Sequence, residues 1–330
     1  MLYFALMRQA GRLNTAIKVG LLVAMLAAAY YQVFHQRDLH DVLRQVRNPL
    51  RGLALPWFVL ALVLVPVNWG LESAKWRRLL RSLEPIGARK AFSAVLSGIT
   101  LGLFTPNRIG EYGGRLLYLE PRHRWTGVPL SLVGSYAQNL ITLFAGTLCG
   151  SIYLRRHPDF PLDLPDWAFP ALALGWAIAL LGYVTLPVWA GEGLGQRLPL
   201  RIRPHVTALR ALSHWVLLQA LFLSAARFLV FTAQYLVLLR VYGISLPPGA
   251  ALTAVGTIFL LQSVLPSFAA VELLKRGNIA LLVFGFLEAG EAAVLATSST
   301  LWLINLVLPA LVGYVLLIRR DFFRSQPPGE

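Results

Sequence analysis

Apolar runs of bilayer-crossing length, most of them closed off by a basic cluster, constrain this chain more than any other feature. Ala16 to Phe34, Leu53 to Leu71, Val128 to Leu154, Ala168 to Ala190, His214 to Leu239 and Ser298 to Ile318 each approach or exceed the roughly 20 residues that a spanning helix needs. Composition agrees. Hydrophobic residues make up 57% of the chain and charged residues 14%, against about 25% charged in globular proteins. The net charge of +15 is spread over short clusters between the runs, which argues against nucleic acid and for loops facing anionic lipid. The clusters are Lys75, Arg77, Arg78, Arg81, Arg89 and Lys90; then Arg122 and Arg124; then Arg197, Arg201, Arg203 and Arg210; then Arg319, Arg320 and Arg324. They mark the cytoplasmic side, so both termini are expected there. The acidic loop Asp159, Asp163, Asp166 is expected outside, where interleaved prolines make it a solvated turn. Ala16 to Phe34 reads as an uncleaved anchor, and Asp38 to Arg47 as an interfacial segment. Cys149 is the sole cysteine, so neither a disulfide nor a cysteine-built metal site is expected, and no metal or cofactor is implied.

Two stretches break the pattern. Gly98 to Arg115 sets a polar, glycine-rich motif between apolar runs too short to cross, and Thr257 to Arg276 repeats the plan more weakly. Each carries a proline followed by a Glu and an Arg four residues apart: Pro106, Glu111, Arg115 and Pro266, Glu272, Arg276. These are expected to be re-entrant, broken helices, tolerated at depth only where protein or water surrounds the irregular backbone. The resulting fold class is an all-α polytopic membrane protein with six full spans plus two re-entrant pairs. It forms one integral-membrane domain over residues 1–320, with a polar tail at 321–330. Three spans and one pair fall in each of residues 16–155 and 168–318, the arrangement of inverted-repeat transporters.

The chemistry follows from the cost of charge in lipid, about 2.5–3.5 kcal/mol for an Arg or Lys at a helix centre. Pro106 with Thr105 as cap, and Pro266 with Ser267, are expected to open half-helices whose positive ends aim inward. Arg108, Glu111 and Arg115 share one face, as do Glu272, Lys275 and Arg276. Helix tips flanked by guanidinium groups suit an anion, and the abundant membrane anion is a lipid phosphate. The candidate site is therefore Thr105, Pro106, Arg108, Glu111, Arg115, Pro266, Glu272 and Arg276, with Arg227, deep in its span, as a further member. The bland alternative is that each Glu and Arg merely satisfy one another. Gln138, Asn139, Gln234, Gln262 and Asn305 read as interhelical glue.

Thr105-Pro106-Asn107-Arg108-Ile109-Gly110-Glu111 resembles the Pro-Gly-Arg-x-Gly-Glu signature of the transmembrane region of lysylphosphatidylglycerol synthases and their stand-alone, flippase-like relatives. Trp76-Arg77-Arg78-Leu79-Leu80 and Pro266 to Glu272 fall where that family has a Trp-Arg motif and a second Pro-to-Glu motif. The resemblance runs over about residues 16 to 320. It implies an inner-membrane protein that moves a phospholipid or lipid-linked anionic substrate, with Arg108, Glu111 and Glu272 at shared positions. Asn107 departs from the usual Gly, and Ser267-Phe268-Ala269-Ala270 lacks the second motif's glycines. Only a short polar stretch follows Ile318, so aminoacyl-lipid synthesis is not expected. No G-x-x-x-x-G-K loop is present, which leaves nucleotide-driven transport unsupported. The rival is a membrane transferase acting on a polyprenyl-linked sugar, with Asp159, Asp163, Asp166 or Glu111 as metal ligand or base.

Overall fold

The computed structural model describes residues 54–103, 105–162, 167–192, 203–265 and 269–319, together with Gly52, Pro165 and Pro199. The anchor at 16–34, the segment at 38–47, Asp163, Asp166, Arg197, Arg201, Pro266 and Ser267 lie outside them. Helices and no strand occur among the described residues: α1 (Leu55–Leu80), α2 (Ala88–Gly102), α3 (Gly110–Leu116), α4 (Arg124–Arg156), α5 (Ala168–Val184), α6 (Leu186–Glu192), α7 (Arg203–Thr207), α8 (His214–Val241), α9 (Pro248–Val264), α10 (Ala269–Gly285), α11 (Glu291–Trp302) and α12 (Leu308–Ile318). A π-helical turn, Leu303–Val307, joins α11 to α12.

Among the described residues, four helices are long and apolar enough to span: α1, α4, α8 and the continuous stretch Glu291–Ile318. The six-span expectation is thus met in four places. The first expected span lies outside the described residues, and Ala168 to Ala190 divides at Thr185 into the 17-residue α5 and the short α6. α1 continues nine residues past Leu71, carrying Glu72, Lys75 and Trp76 into the buried interior.

Packing pairs the elements across the bundle. α1 lies along α8, α2 packs on both α3 and α12, and α9 packs on α4, with α10 against α11. The α2–α3 hairpin closes because two glycines meet. A Cβ at Gly114 would lie 2.6 Å from the Gly98 Cα and one at Gly98 would lie 2.7 Å from the Glu111 carbonyl oxygen, the close approach that small residues permit.

Polar ties sit at mid-helix. Asn68 Nδ2 donates to Asn305 Oδ1 at 3.1 Å, and Arg227 Nη1 donates to Gln138 Oε1 at 3.4 Å. Asn68, Gln138, Arg227 and Asn305 each fall within about two residues of the midpoint of α1, α4, α8 and Glu291–Ile318 respectively. The π turn holds Asn305, whose Nδ2 donates back to the Leu301 carbonyl at 3.2 Å. Such turns re-aim side chains at functional positions.

Candidate functional site

Glu72 anchors the polar interior. Its carboxylate accepts Lys75 Nζ at 2.8 Å and Arg115 Nη1 at 2.9 Å, and Arg227 Nη1 stands 3.4 Å away. The Glu72, Lys75 and Arg115 side chains are 4%, 1% and 4% exposed. An unpaired ion at that depth would be prohibitive, so each holds the others. Lys75 also donates to Ser224 Oγ at 3.2 Å, tying α1 to α8. Arg227 Nε donates to Asn68 Oδ1, 2.9 Å away, and its guanidinium lies over the Trp69 ring at 4.7 Å.

The α2–α3 turn delivers Arg108. α3 opens at Gly110, four residues later than Pro106, because Asn107 and Arg108 take left-handed backbone angles, φ 49° and 59°. Two such residues in succession end any continuing helix. Asn is the side chain that best tolerates that conformation after Gly, which accounts for Asn107 at the position where the resembling signature has Gly. Thr105 does cap, but across five residues: its Oγ1 accepts the Gly110 N–H at 2.7 Å. Arg108 Nη2 then meets Glu111 Oε1 at 2.6 Å, while Glu111 Oε2 takes Arg115 Nη2 at 3.3 Å. The Nε donors of Arg108 and Arg115 are buried and find no hydrogen-bond partner among the described residues. Unmet guanidinium donors of this kind call for an acceptor.

α9 and α10 supply the opposite wall. Arg276 donates to Glu272 Oε1 through Nη2 at 2.8 Å and to Gln262 Oε1 through Nη1 at 3.2 Å. Lys275 Nζ is held by the Leu265 and Gln262 carbonyls at 2.9 and 3.2 Å. Between the walls lie two adjoining cavities of about 250 and 510 Å³, both lined by Arg108, Asn139, Gln262, Ser263 and Arg276. The smaller reaches Arg227 and the larger Glu272 and Lys275. Together they form one cleft between the α2–α3 and α9–α10 walls.

Six cations (Lys75, Arg108, Arg115, Arg227, Lys275 and Arg276) thus surround three carboxylates (Glu72, Glu111 and Glu272). Six against three leaves three positive charges in excess when all are ionised. The mutual-satisfaction reading is correct for the pairs themselves, since Glu111 with Arg115 and Glu272 with Arg276 do meet, but it leaves this surplus unexplained.

Of the expected site residues, Thr105, Arg108, Arg227, Glu272 and Arg276 line the cleft. Arg115 and Glu111 stand behind Arg108 as its support. Pro106 begins a 3-10 turn, Pro106–Arg108, and Pro266 lies outside the described residues. Gln138, Asn139 and Gln262, expected as glue, also line the cleft. Glu72 and Lys75 were not singled out by sequence as site members. Lys75 reads there as a loop marker, and the signal for the pair is its i, i+3 spacing at the end of an apolar run. Asp159 is exposed and lines neither cavity.

Neither a search of curated proteins nor one of solved structures returned a match. The profile of one family does match, that of the lysylphosphatidylglycerol synthase TM region, over residues 16–271. That stretch takes in Glu72, the α2–α3 turn, Arg227 and the α9 wall, and as it covers well over half of the chain, the protein belongs to this family.

Proposed function

We propose that the chain moves a phospholipid or lipid-linked anionic substrate across the cytoplasmic membrane, with the lipid phosphate resting in the cleft between the two broken helices. As a member of its family it is a multi-pass membrane protein related to lipid modification or transport; transport of an anion is the finer reading. The observation that carries it is the surplus of three positive charges around a cleft that reaches the mid-helix residues Asn68, Gln138 and Arg227, since a cation inside a membrane protein costs free energy unless something anionic balances it. Arg108, Arg227 and Arg276 face the cavity and contact the phosphate. Glu72, Glu111 and Glu272 hold those arginines, with Arg115 and Lys75 fixing the base of the cluster.

Alternating access comes from rocking of the halves 16–155 and 168–318, with α2–α3 and α9–α10 as counterparts. Two reciprocal features support the inverted repeat. The first-half helix α2 packs on the last span and the second-half helix α9 packs on α4. The polar pairs Asn68–Asn305 and Gln138–Arg227 likewise join equivalent spans crosswise.

The test is lipid translocation in proteoliposomes that carry a fluorescent phosphatidylglycerol. Arg108→Ala and Arg276→Ala are expected to slow it at least about tenfold, a loss of about 1.4 kcal/mol, while Arg122→Ala, at an exposed cation paired with Glu120, does not. Wild-type rates in both cleft variants would refute transport through this site.

A further inference from the structure

Beside the polar cleft runs an apolar groove of about 640 Å³ between α4, α5 and α9. It shares Val264 with the larger cleft cavity. Along α4 the two alternate around the same helix: Gln138, Asn139 and Thr142 line the cleft, and Leu140, Leu143 and Phe144 line the groove. The groove floor is built rather than incidental. Trp176 Nε1 donates to the Leu140 carbonyl at 3.1 Å, and its ring stacks on Phe144 at 4.3 Å, so α5 is held a fixed distance from α4. Val264 and Leu265, at the rim where α9 ends, are 63% and 48% exposed, so the cleft opens sideways there, onto hydrocarbon-compatible surface.

We infer that this groove holds an acyl chain of the lipid whose phosphate occupies the cleft, the chain passing over the Val264 rim. The inference rests on the anion reading of the cleft and adds the ligand's second half. A soluble anion has no use for an apolar bed continuous with a cation-rich cavity. A membrane lipid needs both at once, its charge buried among guanidinium groups and its tail kept among apolar side chains. The continuity also fixes the route: the lipid arrives laterally between α5 and α9, and the cleft does not have to open to water for loading.

The full-length protein in vesicles of phosphatidylcholine and phosphatidylglycerol tests this with two photoactivatable probes: a phosphatidylglycerol bearing a diazirine near one acyl terminus, and a diacylglycerol with the same tail. Peptide mass spectrometry is expected to find the phosphatidylglycerol label at Leu143, Leu148 and Leu172 at least fivefold above Leu311 and Val315, exposed residues of α12. The ratio should fall to near one in Val264→Trp. Equal labelling of groove and α12 in the wild-type protein overturns the groove, as does phosphatidylglycerol label on residues 16–34 with none in the groove. Groove labelling that is just as strong with the phosphate-free probe, and indifferent to Arg108→Ala, sinks the cleft reading instead.

Discussion

Replacing Glu72 by Gln removes one negative charge from a pocket that holds Lys75, Arg115 and Arg227 within 2.8, 2.9 and 3.4 Å. At those separations and an effective dielectric constant of about 20, each contact is worth about 5–6 kcal/mol in gross Coulomb terms. Most of that gross attraction is offset by the desolvation of the ions, which the fold has already incurred, so the net cost of the substitution is smaller. Leaving buried cations without their carboxylate costs about 3–5 kcal/mol. Gln keeps the shape and one acceptor, which sets the expectation near 3 kcal/mol rather than 5. Equilibrium unfolding in mixed detergent micelles reads the loss directly. A double-mutant cycle with Lys75→Met isolates the pair: the second change removes one stranded cation, so the double variant should be more stable than the sum of singles predicts, with a coupling of about 1–3 kcal/mol. A Glu72→Gln loss under 1 kcal/mol, with no coupling, would show that the four groups do not act as one buried cluster.

Adjacent glycines in α3 make a matched comparison. Gly114→Ala should cost about 1–3 kcal/mol by forcing α2 and α3 apart, whereas Gly113, which has nothing within 4 Å of a built Cβ, should accept Ala with no loss. At the left-handed Asn107, Gly should match or exceed wild-type stability and Val should lose about 1–2 kcal/mol in the same unfolding assay. Glu84, in the loop between α1 and α2, bears on pH. Burial alone would raise its carboxyl, but the Glu120 N–H, Lys90 and His123 outweigh that and hold it below the ordinary carboxylate range. A carboxyl depressed in the folded state stabilises fully above its unfolded value, about 4.3, and the contribution is lost as pH falls through the folded value. Unfolding profiles between pH 3 and 6 should therefore flatten in Glu84→Gln; an unchanged slope would contradict the assignment.

The spans were legible because lipid leaves few alternatives: α1, α4 and α8 lie where the apolar runs do, extended into their polar ends by two to four residues in α4 and α8 and by nine in α1. The pairing of Glu111 with Arg115 and of Glu272 with Arg276 was legible too, as was the depth of Arg227, because helical spacing fixes local neighbours. What stayed hidden is long-range. Glu72 and Lys75 sit close in sequence to Arg77 and Arg78 and share their look of a helix end, and only the packing of α1 against α8 and the Arg115 ion pair from α3 show that they are interior. The start of α3 moved from Pro106 to Gly110 because two left-handed residues intervene, a backbone choice that side-chain pattern does not encode beyond the hint of Asn. That Gln138 and Gln262, besides bonding Arg227 and Arg276 on neighbouring helices, also face a cavity depended on where two distant hairpins met.

The central claim is that Arg108 and Arg276 meet a lipid phosphate deep inside the bilayer, between broken helices. An electron cryomicroscopy map of the protein in phosphatidylglycerol nanodiscs tests it most directly. The account predicts the centre of the disc slab at the level of Asn68, Gln138, Arg227 and Asn305, with headgroup density about 3 Å from the Arg108 and Arg276 guanidinium groups. A slab whose headgroup layer falls at that level, or a cleft that holds no lipid while Arg108 and Arg276 turn to other protein carboxylates, would contradict it.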